Sequence, residues 1–141
     1  MNDFTLVTSK VIAAPKSKVW DAIINPEIIK QYLFGTEAKS DWKVGSTITY
    51  SGMWEGKSYE DKGNILAMET EKFFKYNYWS SMSGTEDKPE NYAEITYELS
   101  EEPEGTLFTL SQSAIPTQEL HDHHEKNWKM VLEGMKKVIE Q

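Results

Sequence analysis

Cysteine is absent from the 141-residue chain, which excludes disulfides, thiolate metal sites and cysteine nucleophiles. Also lacking is any apolar run near the ~18 residues that a membrane span needs. The opening MNDFTLVTSK has neither a basic segment nor an apolar one, so no signal peptide is expected. Basic residues are outnumbered, 15 against 23 acidic, for a formal charge of −8. A nucleic-acid binder would carry a clustered basic face, and a domain docked on anionic lipid would need one too. These absences leave a soluble cytoplasmic protein as the expectation, with neither nucleic acid nor membrane as partner. No serine stands in a nucleophile elbow, and no glycine-rich loop follows a strand and opens a helix as phosphate binding requires, so no cofactor is expected.

Aromatic residues, by contrast, are plentiful. Five tryptophans, seven tyrosines and five phenylalanines make up 12% of the chain. Such rings fill cores, and they also line apolar pockets in which a hydroxyl or indole N–H orients a guest. The length suits one domain, able to bury roughly 65–70% of its unfolded surface. No internal repeat, low-complexity segment or linker divides it, so residues 1–141 read as a single domain.

Residues 4–13 alternate as a strand, ended by Ala14-Pro15, because proline suits the first turn of a helix but cannot donate to a ladder. Val19, Trp20 and Ile23 then fall at helical spacing over 16–24. Asn25-Pro26 breaks this helix and caps a second, with Ile28, Ile29, Tyr32 and Leu33 as its stripe and Gly35 as its end. Beyond Asp41 the period becomes two. Residues 47–54, 58–68, 73–80, 92–99 and 106–114 read as strands joined by short turns, hence an antiparallel meander. The long polar link 81–91 is expected to be mobile. Thr117 then caps a helix running to about residue 139, with Leu120, Trp128, Val131, Leu132, Met135, Val138 and Ile139 on one broad face. Only the sheet can cover that face. The expected architecture is α+β: a curved six-stranded antiparallel sheet wrapped around a long C-terminal helix, with two short helices after the first strand.

Three stretches carry a family resemblance: IAAPKSKVWDAIINPEIIKQY (residues 12–32), DWKVGSTITY through GNILAMETEKFFKYNYW (41–79), and AEITYELSEEPEGTLFTLSQSAIP followed by NWKMVLEGMKKVIE (93–140). In order and over nearly the whole chain, they resemble the activator of Hsp90 ATPase homologue family of the START-like, helix-grip (SRPBCC) superfamily. Two positions depart from the family pattern. Tyr32 stands where tryptophan is usual, and Asn127 replaces the glycine before Trp128. The resemblance implies a helix-grip fold with a cavity under the C-terminal helix. Members hold lipids, polyketides, hormones or other apolar molecules there, while some are cyclases and some are co-chaperones. The full Hsp90 activator has a further N-terminal domain, for which 141 residues leave no room; this favours the cavity over the co-chaperone role.

Candidate binding residues follow from strand parity. The inner set contains Ile48, Tyr50 and Trp54, then Tyr59, Asp61 and Ile65, then Phe74, Tyr76 and Tyr78. It continues with Ile95, Tyr97 and Leu99, and with Phe108, Leu110 and Gln112. Most of these are core. The polar members Tyr50, Tyr59, Asp61, Tyr78 and Gln112 need partners, and a guest is one way to supply them. Tyr32, Trp54 and Trp128 complete the aromatic candidates.

All three histidines of the chain lie in HDHHE, residues 121–125. His121 and His124 share the Trp128 side of the helix and His123 points away. With Glu125 they could approach a metal, yet zinc normally takes three structurally placed ligands that one helix turn rarely supplies, so no metal is expected. His121 and His124 are better placed to hydrogen-bond a guest or a sheet residue at the mouth of a hollow, and the plainest reading is ordinary polar neighbours at a helix start. The chain therefore reads as a binding domain for a small apolar molecule, a lipid or aromatic metabolite, rather than an enzyme. A chaperone-binding surface is the alternative, and a polyketide-cyclase-like enzyme using tyrosines, His124 and Asp61 as acids and bases comes third.

Overall fold

The structure is a computed structural model that describes residues 4–33, 35–54, 56–80 and 86–140, with Trp54 described in its backbone alone. Strand β1 (Phe4–Ile12) buries Leu6 and Ile12 and turns Val7 to solvent, as alternation requires. Helix α1 (Lys16–Ile24) starts after Pro15 and buries Val19, Trp20, Ala22 and Ile23. Asn25 ends it and caps α2 (Pro26–Tyr32), its side chain accepting from the Glu27 N–H at 3.0 Å. The chain leaves α2 through Gly35, whose φ of +84° is one a Cβ would disfavour.

The next segment corrects the expectation of six strands. Residues 37–40, expected to belong to a loop, form strand β2 (Glu37–Ser40), antiparallel to β3 (Thr47–Trp54) with Ala38 opposite Tyr50. Four residues with one buried apolar side chain are too few to display a period. A short strand carrying charge also suits a sheet edge. Between β2 and β3 the W-x-V-G turn holds Trp42 at φ +58°; its N–H donates to Ser40 Oγ at 3.0 Å, and its ring lies 6.3 Å from that of Phe74.

The remaining strands are β4 (Lys57–Glu69), β5 (Phe73–Ser80), β6 (Ala93–Glu102) and β7 (Gly105–Ile115). Among the described residues they form one seven-stranded antiparallel sheet in the order β1-β7-β6-β5-β4-β3-β2. Pairing of the first strand with the last brings the two halves of the chain into one layer. The mobility expected of 81–91 falls in part outside the described residues, at 81–85; the rest carries a short 3-10 turn, Pro89–Asn91.

Helix α3 (Gln118–Ile139) begins at Thr117, whose Oγ1 accepts from the Leu120 N–H at 3.1 Å. Val131, Leu132, Met135 and Ile139 are buried, and Trp128 and Val138 pack against the core at its margin. Leu120, expected on the same face, is exposed: residues 116–120 all are, so the first turn stands clear of the core. The far end is tied to β1. Lys10 pairs with Glu133 at 2.5 Å, the Lys136 ammonium donates to the Val11 carbonyl at 3.3 Å, and the Ala13 N–H donates to Glu140 at 2.7 Å.

Candidate functional site

Toward the N-terminal half of α3, helix and sheet leave a cavity of about 260 Å³. The alternation of the strands builds its wall. Tyr50 comes from β3, Tyr59 and Asp61 from β4, Tyr76 and Tyr78 from β5, Tyr97 from β6 and Gln112 from β7. Register brings them abreast: Tyr50 pairs with Asp61, Asp61 with Ser80, Tyr76 with Ile95, and Ile95 with Gln112. Helix α3 adds His124, Asn127, Trp128 and Val131, and the segment after α2 adds Leu33 and Thr36.

Most polar atoms in this wall are paired with each other. The Tyr76 and Tyr97 hydroxyls meet at 2.9 Å. The Tyr78 hydroxyl donates to Asp61 Oδ2 at 2.8 Å. The Trp128 indole N–H donates to Gln112 Oε1 at 2.7 Å, joining α3 to β7. Thr36 donates to the Leu33 carbonyl at 2.6 Å, and the Tyr59 hydroxyl bonds to Thr36 Oγ1. One atom stands apart: Asp61 Oδ1 is buried and has no hydrogen-bond partner among the described residues.

Burial governs the ionisation of the site. It pushes the phenols of Tyr50, Tyr76 and Tyr78 well up and that of Tyr97 up to about 12, so all stay protonated at neutral pH. Burial also raises the Asp61 carboxyl above its ordinary value, against hydrogen bonds from Ser80 and Tyr78 that favour the charged form. His124 is lowered, first by burial and then by His123 and His121, and is therefore a neutral donor and acceptor at pH 7.

The cavity thus gathers Tyr50, Tyr59, Asp61, Tyr78, Gln112, His124 and Trp128 out of the ten residues singled out from sequence. Tyr32 is buried elsewhere, its hydroxyl donating to the Ala22 carbonyl at 2.7 Å to join α2 to α1. The Trp54 side chain lies outside the described residues. His121 is also outside the wall, beside Phe4 with ring centroids 6.2 Å apart and with Nδ1 3.1 Å from Asp122. Ligand atoms of His121, Asp122 and Glu125 lie within 4.8 Å of one another, on one turn at the helix surface. That grouping leaves out His124, which turns toward the cavity instead.

Sequence reading assigned Tyr76 and Tyr97 to the core, yet both line the cavity while buried; their parity was visible, their adjacency to a void was not. Leu33, expected in the stripe of the second helix, caps the end of α2, and Thr36 belongs to the stretch between α2 and β2, where no periodicity marks it. The stretch from Gly35 to Ser40 thus supplies one wall residue, Thr36, and an edge strand, with Phe34 outside the described residues.

The family model described as activator of Hsp90 ATPase homolog 1-like protein matches residues 13–140. The solution structure of a protein from Cytophaga hutchinsonii is 43% identical, covers 99% of this chain and 97% of its own, and superposes with a TM-score of 0.86. A protein of unknown function from Staphylococcus aureus is 18% identical, with coverage of 99% and 94% and a TM-score of 0.82. The Aha1 dimer from Colwellia psychrerythraea is 17% identical, with coverage of 97% and 96% and a TM-score of 0.78. At such identities the last two show the shared fold alone. No curated protein matches the chain.

Proposed function

Given that the chain belongs to the activator of Hsp90 ATPase homolog 1-like family, we propose that it is a binding domain for a small apolar molecule held between the sheet and the C-terminal helix. The observation that carries this reading is the cavity itself, with five tyrosines and one tryptophan in its wall. An apolar wall with a few convergent polar groups is the usual composition of a small-molecule site. At about 260 Å³ it suits an aromatic metabolite or a short acyl chain better than a whole lipid. Gln112, Tyr78 and His124 supply polar atoms to orient the guest, and Trp128 on α3 reports its arrival. Catalysis has less support: the buried phenols are held too far up to act as bases near neutral pH. Among the described residues no helix is long and apolar enough to cross a membrane.

Native mass spectrometry of untagged protein purified from its own cells tests this directly. An added organic mass, lost when Tyr78 or Gln112 is replaced by a bulky apolar residue, is the expected result. A bare polypeptide mass together with unaltered tryptophan fluorescence across a panel of apolar metabolites would overturn it.

Family membership favours one second reading, a co-chaperone that uses its surface, with the charge of −8 steering it to a basic patch on an Hsp90. The ATPase rate of the same organism's Hsp90, measured with and without this protein, decides it. An unchanged rate rejects the co-chaperone.

A further inference from the structure

The electrostatics of the cavity restrict the charge of its guest. Among the described residues, Asp61 is the one acidic residue in the wall, and no lysine lines it. The chain contains no arginine, so no guanidinium is available anywhere to receive a carboxylate or phosphate. His124 is held neutral by its burial. An anionic guest would thus meet a carboxylate with no fixed cation to offset it. The Asp61 carboxylate keeps one oxygen unanswered: Tyr78 donates to Oδ2 at 2.8 Å and Ser80 also hydrogen-bonds the carboxyl, while Oδ1 is buried without a partner among the described residues. A buried carboxylate left this way is costly unless a cation or further donors approach it.

The rings around it add the same preference. Tyr50, Tyr59, Tyr76, Tyr78, Tyr97 and Trp128 all contribute to the wall. Tyr50 and Tyr76 have ring centroids 6.0 Å apart, Tyr76 and Tyr97 5.7 Å, and Tyr97 and Trp128 6.4 Å. Their planes are inclined to one another by 47°, 74° and 77°. Ring faces carry negative quadrupole density and attract cations, most strongly where water is excluded. Carboxylate and rings together select positive charge.

We propose that the guest is an organic ammonium ion, an amine on a small apolar body, with its charge set against the Asp61 carboxylate and the surrounding aromatic faces. This rests on the cavity reading above. The ammonium supplies the positive charge that the wall lacks, and the apolar body fills the part of the cavity bordered by Leu33 and Val131.

The test is a titration at pH 7 of the unaltered protein with three ligands of nearly equal shape: phenethylammonium, 2-phenylethanol and phenylacetate, read by calorimetry and by tryptophan fluorescence. Phenethylammonium is expected to bind about tenfold or more tightly than the alcohol, and phenylacetate most weakly. In Asp61→Asn, of the same shape, the ratio of ammonium to alcohol affinity should collapse toward one. Equal binding of ammonium and alcohol, tighter binding of phenylacetate, or an undiminished ratio in Asp61→Asn overturns the ammonium assignment while leaving a cavity that binds. If none of the three binds at millimolar concentration, the ammonium assignment also fails, and the organic mass carried by the native protein judges the cavity reading independently.

Discussion

The indole N–H of Trp128 on α3 donates to the side-chain oxygen of Gln112 on β7, 2.7 Å away. This bond joins helix to sheet at the edge of the cavity, about midway along α3 and ahead of the Lys10–Glu133 ion pair and the Lys136–Val11 hydrogen bond that anchor the helix to β1. Gln112 is buried, so its amide oxygen would be left without this donor if the indole were lost. Trp128→Phe keeps an aromatic ring and removes the donor. It should lower stability by about 1–3 kcal/mol in urea unfolding, the usual range for stranding a buried polar group. A change of only a few tenths would mean that another donor takes the indole's place.

The Tyr76 and Tyr97 hydroxyls, 2.9 Å apart and buried, give a sharper form of the same physics. Removing the Tyr76 hydroxyl strands that of Tyr97, whereas Tyr76 also has the Tyr50 hydroxyl beside it; removing both leaves two rings packed as before. Each single Tyr→Phe variant should lose about 1–2 kcal/mol, while Tyr76→Phe/Tyr97→Phe should lose clearly less than the sum of the two. Additive losses in a double-mutant cycle would show that the two hydroxyls do not depend on each other.

Much of this arrangement was legible in the chain. Period-two alternation places Tyr50, Asp61, Tyr78 and Gln112 on the inner faces of β3, β4, β5 and β7, and all four border the cavity. The cap at Thr117 and the stripe from Trp128 to Ile139 gave the helix that covers them. Strand β2 was not legible, because EAKS is four residues with one buried side chain and its partner strand, not its own pattern, defines it. Nor was the division of the aromatic set into core and wall. Phe74 and Tyr76 have the same parity on one strand, yet only Tyr76 borders the cavity, while Phe74 is packed against the rings of Trp20 and Trp42, each 6.3 Å away. His121 and His124 share a helix side, and a rotation of three residues places one beside Phe4 and the other in the wall.

The first turn of α3 stands clear of the core, so its stability depends on its own cap. Thr117→Ala removes the acceptor for the Leu120 N–H and should cost about 1 kcal/mol. The loss should appear first as faster amide exchange over residues 118–121, with the β1-anchored end of the helix unaffected. Uniform acceleration along α3 would mean instead that the helix opens as one unit.

Asp61 makes a signed prediction. Burial raises its carboxyl above the ordinary value of 3.8, so between that pH and its folded-state pKa the native protein holds more protons at this group than the unfolded chain. Stability from Asp61 is then fully present below the unfolded value and is lost as pH rises through the folded one. Surface carboxylates slope the other way. Glu133, beside Lys10, and Asp87, hydrogen-bonded to Lys62 and Tyr92, are lowered, and their contributions are lost as pH falls. The measured pH profile sums both, and a variant isolates the first. Asp61→Asn keeps the shape and has no carboxyl to ionise, so the difference in stability between variant and unaltered protein should shift in the variant's favour as pH rises from about 4 to 7. Urea unfolding at several pH values reads that difference. A difference that is flat with pH would show that the Asp61 carboxyl titrates alike in both states, and a shift toward the unaltered protein would show that it is held below, not above, its ordinary value.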